Sequence, residues 1–181
     1  EFLIPPGMPF MDQFTTLAYV AGFTTRLKLG TAVNLLPLRH PTPVAKQTAT
    51  MDHLTDGRFI FGVGVGGEFK REFEACGIPH NERGARLEEG VKVIRKLWRG
   101  EPVAHKGRFF SFPETHMQPG TLRPEGPPIW FGGRTDKALE RTGRIGDGWI
   151  SYVVTPEMYK AGLDKIAPAF EQANRDLTKF G

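Results

Sequence analysis

Four times along this chain a short apolar run gives way to a stretch with helical periodicity. Residues 26–33 alternate Leu27, Leu29 and Thr31 against polar neighbours, as a strand with one buried face does. Residues 58–64 form an apolar run, residues 128–132 another, and 148–154 a fourth. Each precedes a helical pattern: from Pro41, with Val44, Thr48, Met51 and Leu54 as its buried stripe; over 84–99, with Leu87, Val91, Ile94, Leu97 and Trp98; over 136–145; and over 156–176. A further helix over 12–24, with Asp12 as its N-cap, comes first. Regular β–α alternation demands parallel strands joined by helical crossovers. A barrel and a doubly wound sheet both satisfy that rule, and the pattern does not choose between them.

The rhythm breaks once, at about 100–127. Pro and Gly crowd this segment, and residues 105–112 read as a hairpin arm. It is a surface excursion within one partial domain spanning 1–181, not a linker.

Composition narrows the partners. Hydrophobic residues are 39% and charged residues 24% of 181, so a packed core is expected. The net charge of +4 is spread among acids with no basic stripe, which argues against nucleic acid. No run approaches the roughly 18 apolar residues of a membrane span. The single Cys76 has no internal disulfide partner, which fits a reducing, cytoplasmic setting, and it is expected to be a small packed side chain. The start at Glu1, without Met and before Pro5-Pro6-Gly7, suggests a truncated N-terminus.

Gly62-Val63-Gly64-Val65-Gly66-Gly67 follows a strand and matches a dinucleotide fingerprint. Such a fingerprint should open directly into a helix and be followed by an acid ending a second strand. Here Gly77-Ile78-Pro79 interrupts, and the region near residue 88 is helical. Close packing of a strand end and a ligand-facing loop remain as alternatives. Gly132-Gly133-Arg134-Thr135 is a better anion site: glycines expose backbone amides, the next helix offers unpaired N–H groups, and Arg134 adds charge. An ordinary turn with Thr135 as N-cap reads equally well. His40, before Pro41, is expected to cap its helix or lie at the surface. No phosphate-binding P-loop, metal-ligand spacing or nucleophile elbow is present.

Taken together, several segments resemble luciferase-like monooxygenases. They are residues 29–33 with Pro37-Leu38-Arg39-His40-Pro41, Asp52 to Arg58, the glycine run with Glu72-Phe73-Glu74-Ala75, Glu82 to Glu89, and Leu97-Trp98-Arg99-Gly100. Pro127 to Gly133 and Gly146-Asp147-Gly148-Trp149 complete the series. The likeness is nearest to the branch using the deazaflavin coenzyme F420. It implies a TIM-type (β/α)8 barrel of which this α/β chain covers roughly strands 3 to 6. It also implies hydride transfer with a small organic substrate, or, with FMN, monooxygenation. A non-proline cis peptide at Ala32-Val33 would back the cofactor ring. Asn34, Gly66 and Gly67 would approach the ring, and Gly132, Gly133, Arg134 and Thr135 would hold the phosphate. Some deazaflavin relatives carry an acid directly after the glycine strand. Gly67 stands there in this chain, with Glu68 one place later, so no catalytic residue is assigned. A homodimer is expected. A nicotinamide dehydrogenase and a non-catalytic subunit are the rivals.

Overall fold

The computed structural model describes residues 9–67, 69–176, 178, 180 and 181. Helix α1 (Gln13–Ala21) is capped by Asp12, whose carboxylate accepts from the Thr15 amide at 3.0 Å. Strands β1 (Leu29–Gly30) and β2 (Asn34–Leu35) precede α2 (Pro41–Leu54). Strand β3 (Phe59–Gly64), the short α3 (Lys70–Ala75) and α4 (Arg83–Trp98) follow. A hairpin of β4 (Val103–Lys106) and β5 (Ser111–Thr115) leads to β6 (Ile129–Gly132), α5 (Asp136–Ile145), β7 (Gly148–Ile150) and α6 (Pro156–Gln172).

The parallel strands lie in the order β1, β3, β6, β7, with β2 also paired to β3. Every strand sits beside its predecessor in the βα series, and the order never reverses. A doubly wound sheet needs a reversal, at which its ligand crevice opens. Steady progression is the arrangement of a barrel wall. This excludes the dinucleotide-fold reading of the glycine run.

The two faces of this wall differ. Phe59, Phe61, Val63, Ile129 and Phe131 are fully buried with Ala45, Ala49, Leu87, Val91, Ile94 and Trp98 of the covering helices. Burying each such large side chain contributes about 1.5–3 kcal/mol. Trp98 also donates its indole N–H to Thr48 Oγ1 at 2.9 Å, so this polar pair is satisfied inside the core. Leu139, Trp149, Ile166 and Phe170 form a second cluster beneath α5 and α6. Alternate strand positions point to the other, inner face. They are Ile60, Gly62, Gly64, Trp130, Gly132, Gly148 and Ile150.

Several boundaries depart from the sequence reading. The strand expected over 26–33 is split: Leu27 is exposed, and the backbone leaves the ladder between Gly30 and Asn34. Thr31 Oγ1 donates to the Gly62 carbonyl at 2.7 Å, and the chain crosses the inner face where Gly62 and Gly64 have no side chains. Leu54 is exposed rather than part of the α2 stripe, and Asp52 and Thr55 are buried instead. Asp52 accepts from the Leu122 amide at 2.9 Å, and Thr55 Oγ1 donates to the Met51 carbonyl at 2.7 Å. β7 ends at Ile150 rather than 154, and α6 ends at Gln172 rather than 176. Helix α3 was not anticipated. The excursion does form a hairpin, and it is held to α4 by Glu89.

Candidate functional site

The inner face converges at the carboxyl ends of the strands, where parallel α/β folds bind ligands. The Ala32-Val33 peptide is cis, as the resemblance implies. Val33 projects onto the inner face. Its Cγ2 lies 2.5 Å from the position a Cβ on Gly64 would take, and its Cγ1 lies 2.9 Å from that of Gly132. Three segments far apart in sequence therefore meet at one apolar side chain, and only glycine at both flanking positions leaves room for it.

Asn34 is placed differently. It pairs in register with Val63, whose side chain belongs to the helix-side core. Partners in register share a face, so Asn34 lies behind the wall, opposite Val33. It is fully buried, and among the described residues neither Nδ2 nor Oδ1 has a hydrogen-bond partner.

Gly66 and Gly67 follow β3 with positive φ values of 63° and 122°. Leu35 and Phe73 crowd Gly66, whereas Arg83 and His80 lie over Gly67. The Gly67 carbonyl is 3.3 Å from His80 Nε2. Glu68 lies outside the described residues.

The Gly132–Thr135 turn is both a cap and an exposed loop. Thr135 caps α5 by accepting from the Ala138 amide at 3.4 Å, and Gly133 takes φ 137°. The Gly133 carbonyl accepts the Trp149 indole N–H at 2.7 Å, which ties the turn to β7. Arg134 faces the α6 side: its guanidinium lies 5.1 Å from the centre of the Tyr152 ring. It lines a cavity of about 190 Å³ with Trp149, Met158 and Lys165.

Two smaller expectations resolve in opposite ways. His40 caps α2, its Nδ1 accepting from the Thr42 amide at 3.3 Å. Cys76 is exposed at the end of α3, not packed. Its helix is only six residues long and buries Phe73 alone, so the last turn stays in solvent.

Sequence reasoning passed over Arg83 and His80. Arg83 Nη1 donates to the His80 carbonyl at 2.8 Å and lies 3.2 Å from His80 Nδ1, while Arg83 Nε is buried with no acceptor among the described residues. The available signal was Arg83 at the start of a helix that follows the glycine run, but nothing in the sequence brought it next to Gly67.

Comparison with known proteins bears on this geometry. The residue pattern of a family described as luciferase-like monooxygenase matches residues 2–181. The phthiodiolone/phenolphthiodiolone dimycocerosates ketoreductase of Mycobacterium tuberculosis is 34% identical over 170 residues, which is 91% of this chain and 44% of that enzyme. The crystal structure of monooxygenase RslO1 from Streptomyces bottropensis superposes with a TM-score of 0.81 at 31% identity, covering 93% of this chain and 53% of that one. An F420-dependent secondary alcohol dehydrogenase, in complex with an F420–acetone adduct, superposes with a TM-score of 0.84 over 94% of this chain and 52% of that one. At 23% identity it shows the shared fold alone. The chain spans about half the length of the relatives it matches.

Proposed function

This chain belongs to the luciferase-like monooxygenase family, and from that premise we propose that it carries the ring-holding half of an F420-dependent oxidoreductase exchanging hydride with a small organic substrate. Oxidoreductase chemistry is common to the family and to the ketoreductase and monooxygenase relatives. The choice of F420 and of hydride transfer is the proposal.

The observation that carries it is the glycine-cleared floor around Val33. A flat ring needs a smooth apolar surface, and side chains at 64 or 132 would break this one. The residues present fit such a group. Ala32 and Val33 would back the ring, Gly66 and Gly67 would admit its edge, and Gly132, Gly133, Arg134 and Thr135 would receive the phosphate. Asn34 stands behind the wall and would act only through its backbone. When bound, a deazaflavin supplies hydride chemistry at its C5. The protein's part is to orient the ring, keep the inner face apolar through Ile60, Trp130 and Ile150, and exclude water. The 34% identity to a ketoreductase supports carbonyl reduction as the reaction class. Hydride gain at carbon then requires a proton at oxygen, and no described residue on the inner face is assigned that role.

The second reading is monooxygenation with reduced FMN, favoured by the 31% identity to RslO1. Fluorescence titration of the chain with F420 and with FMN separates the two. Saturable binding of F420 alone is the expected result, and saturable binding of FMN alone would replace it with the second reading.

A homodimer in the cytoplasm completes the proposal. Tyr19 on α1 and Phe23 just beyond its end, both exposed and in ring contact at 5.0 Å, offer an apolar surface for pairing. Sedimentation equilibrium would test it. Among the described residues no helix is long and apolar enough to cross a membrane.

A further inference from the structure

We propose that the β4–β5 hairpin straps down the loop that follows the Val33 floor. Glu89 is its latch, a positioning residue that acts on the floor through Phe110 and residues 36–41. The proposal rests on the reading above only for which ligand the floor receives.

Two adjacent residues of α4 hold two different segments. Gly90 seats the loop: a Cβ there would lie 3.2 Å from Leu36 Cδ2 and 3.9 Å from Pro41 Cβ. Glycine weakens a helix interior, and here the close approach of Leu36 requires it. Leu36 is buried and stands just after β2, at the start of the turn Leu36–Leu38 that leads to His40. Glu89 seats the hairpin. Its side chain is 14% exposed, and its carboxylate accepts from the successive amides of Arg108, Phe109 and Phe110 at 3.2, 3.1 and 2.9 Å. It also lies 3.2 Å from His105 Nε2. Successive backbone amides form a concavity that binds anions, and here a side chain of α4 fills it. Gly107 leaves the space, since a Cβ there would collide with the Glu89 carboxylate. The shortest of the three bonds comes from Phe110, and the Phe110 ring meets His40 edge-on with centroids 5.3 Å apart. Phe110 and Leu36 share one buried cluster. Carboxylate, hairpin tip and floor loop therefore form one chain of contacts.

Protonation opens this latch, because a neutral carboxyl turns an O–H toward amide donors and accepts from them less strongly. Burial raises the Glu89 carboxyl pKa, but the Phe110 amide, His105 and the Phe109 amide outweigh it and hold the group below the ordinary 4.5. The latch is therefore closed above that value and opens as pH falls through the lower, folded one. Of the charged groups around it, His105 on β4 is in contact with Glu89. Arg86 pairs with Glu82 and lies over the Phe109 ring. Arg108 lies 4.0 Å from Glu82 and over the same ring. Glu88 turns to Arg141 and Arg144 of α5. Lys92, a turn later on α4, is exposed, and His40 of α2 meets the hairpin at the Phe110 ring.

The test is an NMR pH titration of the chain that follows the Val33 methyls and the Glu89 carboxyl carbon, assigned by their loss in Val33→Ala and Glu89→Gln. The Val33 methyls are expected to shift with the Glu89 midpoint. In Glu89→Gln they should stand near their acid position already at neutral pH and stop titrating, so the comparison holds even where acid unfolds the parent. Glu89→Asp keeps a carboxylate and should restore the response. Phe110→Leu keeps Glu89 and loses the ring contact, so there Glu89 should titrate without Val33. Circular dichroism reports that each variant is folded. F420 affinity should be about tenfold lower in Glu89→Gln at neutral pH, with Glu89→Asp closer to the parent. Val33 methyls that ignore Glu89, that follow His105 instead, or that still respond in Phe110→Leu overturn the proposal. A parent that shows the relay but binds neither F420 nor FMN leaves the strap standing and counts against the cofactor.

Discussion

Val33 occupies the space that a side chain on Gly64 would need: its Cγ2 lies 2.5 Å from the Cβ position. Gly64→Ala must therefore displace Val33 or the strand. Overpacking of this kind costs about 1–3 kcal/mol. Removing both Cγ atoms in Val33→Ala takes away the obstacle. The double variant Val33→Ala/Gly64→Ala should be more stable than Gly64→Ala alone, with a coupling of roughly 0.5–3 kcal/mol. Urea unfolding of the four proteins in the cycle measures it. Strict additivity would mean that the two residues do not compete for this space.

Asn34 supplies the opposite experiment. Both of its amide atoms are buried and have no partner among the described residues, and a buried unsatisfied polar group costs about 1–3 kcal/mol. Asn34→Val removes both groups and suits a strand. A gain of about 1 kcal/mol is expected, with cofactor affinity within about twofold of the parent because the side chain lies on the helix side of the wall. A large loss of affinity with an unchanged fold would return Asn34 to the ligand face.

What could be read in advance follows from the range of the interactions. Periodicity exposed β1, β3, β6 and β7 and the longer helices, though not β2 or α3, since the burial of alternate positions is written locally at Phe59, Phe61 and Val63. Caps at Asp12, His40 and Thr135 were legible for the same reason: donor and acceptor are two or three residues apart. Strand order was not legible, because it resides in pairings such as Val63 with Phe131. The site divides along the same line. Gly132 to Thr135 is contiguous and visible, whereas Arg83 reaches Gly67 only after α3 and the following turn have folded the chain back. The face on which Asn34 lies was not legible, because the chain leaves the ladder after Gly30, which resets the strand alternation just before it.

Glu89 gives the chain a pH dependence. Its carboxylate accepts from the Phe110 amide at 2.9 Å, from the Phe109 and Arg108 amides, and lies 3.2 Å from His105 Nε2. These bonds tie the hairpin to α4. Burial raises the Glu89 carboxyl pKa, but the Phe110 amide, the His105 ring and the Phe109 amide more than offset this and hold it below the ordinary 4.5. A carboxyl lowered on folding stabilises the protein fully above its unfolded value, and the contribution is lost as pH falls through the folded one. Thermal midpoints of the parent and of Glu89→Gln should therefore differ near neutral pH and converge well below 4.5. The glutamine keeps one acceptor but turns an amide N–H toward backbone donors. A loss of about 1–3 kcal/mol is expected at neutral pH. Midpoints that stay parallel down to strong acid would show that the carboxylate charge does not hold the hairpin.

Trp149 links the second core to the proposed phosphate turn. Its ring stacks on Tyr159 at 5.1 Å and 7°, and its Nε1–H donates to the Gly133 carbonyl at 2.7 Å. The two interactions are separable. Trp149→Phe keeps an aromatic ring for Tyr159 and removes the donor. Losing a neutral hydrogen bond of this kind costs about 0.5–1.5 kcal/mol. The effect on binding should exceed the effect on stability. Gly133 holds a φ of 137° that the bond to Trp149 helps to fix, and the proposed phosphate site relies on the backbone amides of the turn keeping that orientation. Cofactor affinity is expected to fall about tenfold in Trp149→Phe, with thermal stability only modestly lower. If stability falls and affinity does not, the bond serves packing between β7 and the turn, and the phosphate is held elsewhere on the face.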